Sequence, residues 1–434
     1  MRILELAING YKNLGPTRVD LTKNQITALI APNNYGKSNF LESLDFAYDF
    51  IHAGPKLRKA MMEYIPAIPI NKHVDQENFF FEVVFESKNE NIIRNIEYSF
   101  SFAWKKDRAT EGSTIVSEQL RVKDSKSGSK YTKYLTRESK KASYLTSPSG
   151  RCDTKVTITS TNLLINKLSN YDSLFYKEII DNILNLNFSI TSLMDLEMKF
   201  GAIMVNDPNK VSFGDLDDGD NISQFLFNLK QTNSNLFKLF ENSLKDLVPT
   251  IEQINPREID LKESKEMKGL KGVPFTLPEK IYDLRIKENN NNQITGPRFL
   301  SRGTRRIILI LASAIDAVTK RHSLLAFEEL ENSIHPLLLQ RLLIILTGIA
   351  PELQILVSSH SPYLIQYLPI NCIYFGLPNK EGVARFYTIK NSKQNSIIRM
   401  ATDDDTSLGD YLFDLMLDIE PDTSFQEEYF ESQV

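Results

Sequence analysis

The chain has 434 residues, 41% of them hydrophobic and 24% charged. That suits two or three globular domains and excludes a disordered chain, a collagen-like chain or a coiled-coil rod. Lys and Arg total 51 against 55 Asp and Glu, a net charge of −4, so any contact with nucleic acid must come from a local patch. The two cysteines, Cys152 and Cys372, are too few for a disulfide framework or a zinc site and read as reduced thiols of a cytoplasmic protein.

The N-terminus carries Glu5 and lacks the apolar core of a signal peptide. The most apolar stretches, 307–314 and 337–349, fall short of the roughly 18 uninterrupted residues that a membrane-spanning helix needs. A soluble protein with no membrane partner is expected. Residues 3–8 alternate as a strand does, and 26–30 form an apolar run that feeds a turn-rich loop. A helix starts near Gly36, with Phe40, Leu41, Leu44 and Ala47 at helical spacing. Segments 79–86 and 94–104, rich in aromatic and β-branched residues, predict antiparallel strands.

Between Lys105 and Lys141 there are eleven Lys or Arg and five Asp or Glu. This stretch reads as a solvated hairpin or mobile loop, with a phosphate-contacting patch as the sharper alternative. Residues 160–250 are helical in pattern, and 288–296 is a polar loop. A helix over 304–319, a strand over 323–327, a helix after Pro336 and a strand over 354–357 then follow, the alternation of a parallel sheet in the α/β class. The tail after Thr402 holds eleven acidic residues and no basic ones, yet 408–417 keeps a helical apolar stripe.

Four segments carry chemistry. The first, Ala31-Pro-Asn-Asn-Tyr-Gly-Lys-Ser38, lies between a strand and a helix, as a phosphate-binding loop does. Backbone N–H groups at the helix start would face the phosphates, Lys37 would reach the β- and γ-phosphates, and Ser38 would hold magnesium. Ala31 stands where the pattern has its first glycine, which predicts a slightly altered loop, and Asn34 suits a left-handed position. The second, 323–329, is an apolar strand ending in Glu328 and Glu329, where ligands of α/β sheets bind. Solvated glutamates are its blander reading. In the third, 300–306, Ser301 and Gly303 could donate to a γ-phosphate, with Arg302, Arg305 or Arg306 adding charge. A serine N-cap would explain Ser301 but not the glycine and arginines. The fourth is Ser359-His-Ser-Pro362, where His360 at a strand end could sense a γ-phosphate.

Taken in chain order, the segments resemble the ABC-type ATPases of the RecF/SMC/OLD branch. Ala31–Ser38 resembles their Walker A, 300–306 their signature and 324–329 their Walker B. Glu331-Asn-Ser-Ile-His-Pro336 resembles the D-loop of OLD-like members, and 359–362 their switch histidine. Asn9-Gly-Tyr-Lys-Asn13 is similar to a first-strand element whose basic residue, here Lys12, meets phosphates. Gln76 is a candidate for the glutamine loop.

The resemblance implies an ABC-type P-loop ATPase head with a mixed or parallel sheet, an antiparallel β subdomain and a helical insertion. The expected domains are an N-terminal lobe over 1–104, an insertion over 105–295, a C-terminal lobe over 296–390 and an acidic helical tail over 391–434. It implies catalytic roles for Lys37, Glu329 and His360, magnesium at Ser38 and Glu328, and ATP contacts from Lys12, Asn33, Asn34, Gly36, Lys37, Ser38, Asn39, Ser301 and Gly303. In the family the signature of one copy closes over the nucleotide of another, so a homo-oligomer is implied. OLD nucleases carry a metal-dependent domain after the switch histidine, but only 74 residues follow His360, and no nuclease is expected here. A separately encoded effector in anti-phage defence is the leading expectation. A RecF-like ATPase that clamps DNA through the 105–141 patch is the alternative.

Overall fold

The computed structural model describes residues 1–63, 68–75, 77–89, 92–105, 112–126, 128–191, 222–260, 280–377, 379–418 and 424–432. In chain order the first elements are β1 (Arg2–Asn9), β2 (Thr17–Asp20), β3 (Ile26–Ile30), α1 (Lys37–His52), α2 (Pro55–Met61), β4 (Phe79–Asn89) and β5 (Ile92–Ala103). Next come β6 (Thr114–Asp124), β7 (Thr132–Glu138), β8 (Lys141–Tyr144), β9 (Thr154–Thr157), α3 (Leu164–Leu168), α4 (Lys177–Leu184) and β10 (Phe188–Thr191). Helices α5 (Ile222–Thr232) and α6 (Ser234–Leu247) precede β11 (Ile251–Asp260), β12 (Lys280–Glu288), β13 (Ile294–Thr295), α7 (Arg302–Thr319), β14 (Leu324–Glu328) and α8 (Pro336–Ile349). The last elements are β15 (Gln354–Ser359), α9 (Pro362–Tyr367), β16 (Ile373–Gly376), β17 (Phe386–Ile389), α10 (Gln394–Asp403), α11 (Leu408–Asp418), α12 (Ser424–Tyr429) and β18 (Phe430–Ser432). No described helix is long and apolar enough to cross a membrane.

The chain divides into two compact units, Met1–Phe188 with Glu352–Val434, and Ser189–Pro351. In the first unit, eight strands pair antiparallel in the order β2-β1-β4-β5-β6-β7-β8-β9. Alternation selects the buried face: Phe79, Phe81, Val83 and Phe85 of β4 lie opposite Phe102, Phe100, Tyr98 and Ile96 of β5. Helix α1 covers that face with aromatic rings. Phe50 stacks on Phe100 at 5.0 Å between centroids and an 8° interplanar angle, and Phe46 meets Phe79 at 5.1 Å. Contacts of this kind add about 0.5–1.5 kcal/mol each beyond the area they bury.

In the same unit, β3 is buried along its length and pairs parallel with β15 on one side and β16 on the other. β17 and β18 extend that sheet antiparallel. Both sheet types predicted from the sequence are therefore present, and the fold is mixed α/β.

Of the hairpin or loop expected over 105–141, the described residues form the hairpin, but one of its faces is buried. Strands β6 and β7 are full members of the antiparallel sheet, with Ile115, Leu120, Val122 and Leu135 in its core. Two of its charged residues, Glu118 and Arg137, are also buried. Composition alone hid the alternation of these strands, because the outward face supplies the lysines.

In the second unit, α5, α6 and α7 pack on one another, and β11-β12-β13 form a small antiparallel sheet. β14 lies beside β10. Helix α7 is buried from Arg306 to Ala317.

Candidate functional site

The phosphate-loop segment leaves β3 at Ala31 and enters α1 at Lys37. Asn34 and Gly36 take left-handed φ values of 65° and 84°, a conformation that Asn tolerates and that Gly adopts without penalty. Gly36 has a second reason to be glycine, because a Cβ there would lie 2.3 Å from the Cβ of Ala384. No side chain caps the start of α1, and its first turn holds no acid. The helix start thus directs backbone N–H groups and the positive end of its dipole toward the loop, the arrangement that binds phosphate. The buried Lys37 ammonium turns back onto the loop, donating to the carbonyls of Ala31 at 2.6 Å and Pro32 at 2.9 Å. Ser38 follows in the first turn.

Ala31 fits where the pattern has glycine because its neighbour makes room. A Cβ on Gly376 of β16 would stand 2.6 Å from the Ala31 methyl. The glycine missing from the loop is in effect moved to the adjacent strand.

Three residues after β1, Lys12 ion-pairs with Glu42 on α1, so a phosphate contact by Lys12 would exchange that partner. Sequence reading passed over Asn13. Its Nδ2 donates to the Asn34 carbonyl at 3.4 Å, and its Oδ1 accepts from Asn39 Nδ2 at 2.7 Å. Asn39 therefore braces the loop through Asn13. The signal was present in the Asn9–Asn13 segment, but only the basic residue had been singled out.

His360 belongs to this same unit. Ser359 lies opposite Ile30 in the parallel pair, and Ala31 N donates to the Ser359 carbonyl at 3.3 Å. His360 thus leaves β15 beside the point where the phosphate loop leaves β3. The serines around it shape the turn: Ser359 Oγ accepts from Ser361 N at 3.0 Å, and Ser361 Oγ from Tyr363 N at 3.3 Å.

The second unit gathers the other motifs. Ser301 is the N-cap of α7, accepting from Thr304 N at 3.1 Å, so the blander reading of that serine holds for its hydroxyl acceptor. Gly303 is fixed by a close approach, since a Cβ there would lie 2.5 Å from the Ser333 carbonyl oxygen. Arg306 is buried and donates to the backbone carbonyls of Glu328 and Glu329. Burial lowers its pKa to about 10, against the opposing pull of Glu331 and Glu329. Of the three arginines expected to add charge at a phosphate, this one holds the end of β14.

Glu329 itself sits at a left-handed φ of 50° and accepts from Asn332 Nδ2. Strain of this kind, on the order of 1–3 kcal/mol, gathers at functional sites. Glu328 ends β14, partly exposed.

Gly303→Val is expected to push the Ser301–Arg306 turn off the 331–333 loop. Melting temperature should fall by several degrees, at a cost of about 1–3 kcal/mol for overpacking. A melting curve unchanged from wild type would refute the close-approach account.

No described cluster of three His, Cys, Asp or Glu could hold a metal alone. Magnesium beside a nucleotide keeps waters and phosphate oxygens and takes only one or two protein ligands. Ser38 in the first unit and Glu328 in the second each carry an oxygen donor of the kind magnesium takes. Gln76, the glutamine-loop candidate, lies outside the described residues.

A family model described as "AAA domain, putative AbiEii toxin, Type IV TA system" matches residues 26–366. The chain belongs to this family of AAA-domain ATPases. No curated protein matches it. Among solved structures, it is similar to an SmcHead bound to the C-winged helix domain of ScpA, at 14% identity and TM-score 0.47, covering 91% of this chain and 100% of that one. An SMC head domain from Thermotoga maritima matches at 12% identity and TM-score 0.40, covering 88% and 97%. The recombination mediator protein RecF-ATPrS matches at 11% identity and TM-score 0.41, covering 88% and 96%. Likenesses this remote do not assign a substrate, a partner or an assembly.

Proposed function

We propose that the chain is an ABC-type ATPase that binds Mg-ATP at its phosphate loop, assembles with further copies of itself, and thereby controls a separately encoded partner in anti-phage defence. The observation that carries this reading is the loop itself: left-handed Asn34 and Gly36, an uncapped α1, and Lys37 turned inward over Ala31 and Pro32. An incoming triphosphate would offer Lys37 better acceptors than two loop carbonyls. The contacts proposed for the nucleotide are the backbone and side chains of Asn33, Asn34, Gly36, Lys37, Ser38 and Asn39, with Lys12 beside them. Magnesium at Ser38 and Glu328 would neutralise phosphate charge. Glu329 would orient the attacking water, and His360 would contact the γ-phosphate. Ser301 and Gly303 would act on the nucleotide of another copy.

The words "putative AbiEii toxin, Type IV TA system" in the family's description support a chain that works as one member of such a system, which favours a partner protein over a stand-alone repair enzyme. Two of the basic residues that the DNA-clamp reading would use are already engaged. Within 105–141, Arg137 is buried on backbone carbonyls and Arg121 pairs with Glu97. Lys106 and Arg108 lie outside the described residues.

Mass photometry of Glu329→Gln, expressed with its genomic neighbours, tests the proposal. Growth in mass on adding Mg-ATP, absent in Lys37→Ala, is expected, with a neighbouring gene product carried in the complex. A mass indifferent to nucleotide, or a complex that never holds a neighbour, would sink it.

A further inference from the structure

Far from the phosphate loop, the edge of the antiparallel sheet folds around a cavity of about 690 Å³ lined by residues of β7, β8 and β9. Pocket volumes of about 300–1,000 Å³ are those of small-molecule sites. Strand register explains its lining. Thr136 lies opposite Ser143, and Ser143 opposite Lys155, in one cross-strand row. Glu138 lies opposite Lys141, and Lys141 opposite Thr157, in the next. Leu135 and Arg137, which alternate with these residues, are buried on the other face.

Four lysines are among the residues that line the cavity, Lys133, Lys140, Lys141 and Lys155. None of the four forms an ion pair among the described residues. On a molecule of net charge −4, four lysines against the two carboxylates of the lining, Glu138 and Asp153, leave a local positive potential that favours an anion. Glu138, Asp153, Thr136, Ser143 and Thr157 share the lining, so the site can also exchange hydrogen bonds with hydroxyl groups.

We propose that this cavity is a second anion site, which takes a small molecule bearing two or more phosphate groups together with hydroxyls. It is separate from the phosphate loop. β8 stands five strands along the sheet from β1, which leads into the segment that carries Asn13, and at ~4.8 Å per strand that is about 24 Å. A duplex nucleic acid suits the surface less well, because the four lysines surround one concavity of metabolite size. The site goes beyond the ATPase reading and does not depend on it.

Cys152 gives the test its reporter. It lines the cavity half-buried, with Sγ 3.5 Å from the Ser143 carbonyl, whereas Cys372 is fully buried. Alkylation of Cys152 by iodoacetamide is followed by peptide mass spectrometry, with and without inorganic tripolyphosphate. At ten times its dissociation constant the probe leaves about one site in eleven open, so alkylation should slow about tenfold. The protection should persist in Lys37→Ala, which isolates it from the phosphate loop. It should be lost in Lys141→Gln/Lys155→Gln and weakened in Lys140→Gln, all exposed positions. No slowing, slowing that survives the double substitution, or slowing that disappears in Lys37→Ala would each overturn the proposal. A DNA duplex that protects Cys152 where tripolyphosphate does not would make the face a nucleic-acid contact and overturn it as well.

Discussion

Glu118→Ala is expected to remove about 3–5 kcal/mol of stability, the scale for breaking a buried charged network from one side. The Glu118 carboxylate is enclosed by the first unit. Its oxygens accept from Leu164 N at 2.5 Å and Ile165 N at 2.9 Å, the otherwise unmet donors at the start of α3, and from Tyr98 OH at 3.2 Å. Two buried guanidiniums act on the same region. Arg58 donates to the carbonyls of Phe50, Ala53 and Thr161, closing the C-terminal end of the helix that begins at the phosphate loop. Arg137 donates to the carbonyls of Ser139 and Thr159. Alanine at 118 would leave the α3 donors unpaired and both cations without a nearby carboxyl.

The charge state of Glu118 adds a pH signature. Burial pushes its pKa above the ordinary 4.5, outweighing the hydrogen bonds and Arg137 that act in the opposite direction. The folded state therefore holds this proton more tightly than the unfolded chain. The associated stability is fully present below the unfolded value and is lost as pH rises through the folded one. Glu118→Gln cannot titrate there. Wild-type stability measured relative to Glu118→Gln should fall as pH rises from about 4.5. Urea unfolding across that range checks it, and a pH-independent difference between the two proteins would contradict the assignment.

Much of the phosphate loop was legible in the sequence, because its chemistry is local. Asn34 and Gly36 answer to backbone geometry within eight residues, and the strand before them and helix after them have periodicities that can be read directly. Gly303 was legible as a motif, but its cause was not, since Ser333 is thirty residues away. The tolerance for Ala31 depends on Gly376, and the bracing of the loop on Asn13. Neither partner is set by sequence spacing. The strands β6 to β9 were the harder case. Their outward lysines dominate the composition of 105–141, and a window that counts charge misses the alternate residues that face the core. Glu118 looked like one acid in a basic loop, and its role emerged only when β6 paired with β5 and placed it under α3.

Lys37→Ala and Glu329→Gln are expected to separate binding from turnover. Lys37 is held by two carbonyl oxygens in a cradle of backbone donors, and under the proposed function its charge meets the triphosphate in the ground state and the transition state alike. Its removal should therefore abolish measurable Mg-ATP binding, and with it hydrolysis. Glu329 is different. Its left-handed backbone and its bond from Asn332 fix a carboxylate at the end of β14, and Gln keeps the size and one acceptor while removing the base. Binding should survive, while kcat falls about 10²–10⁴-fold, the range for a positioned general base. Asn332→Ala, which loosens Glu329 without removing it, should lower kcat less and leave KM near wild type. Steady-state hydrolysis with equilibrium binding of a fluorescent ATP analogue reads all three. Hydrolysis by Glu329→Gln at the wild-type rate would strip that residue of its role. Undiminished binding by Lys37→Ala would move the nucleotide away from the loop altogether.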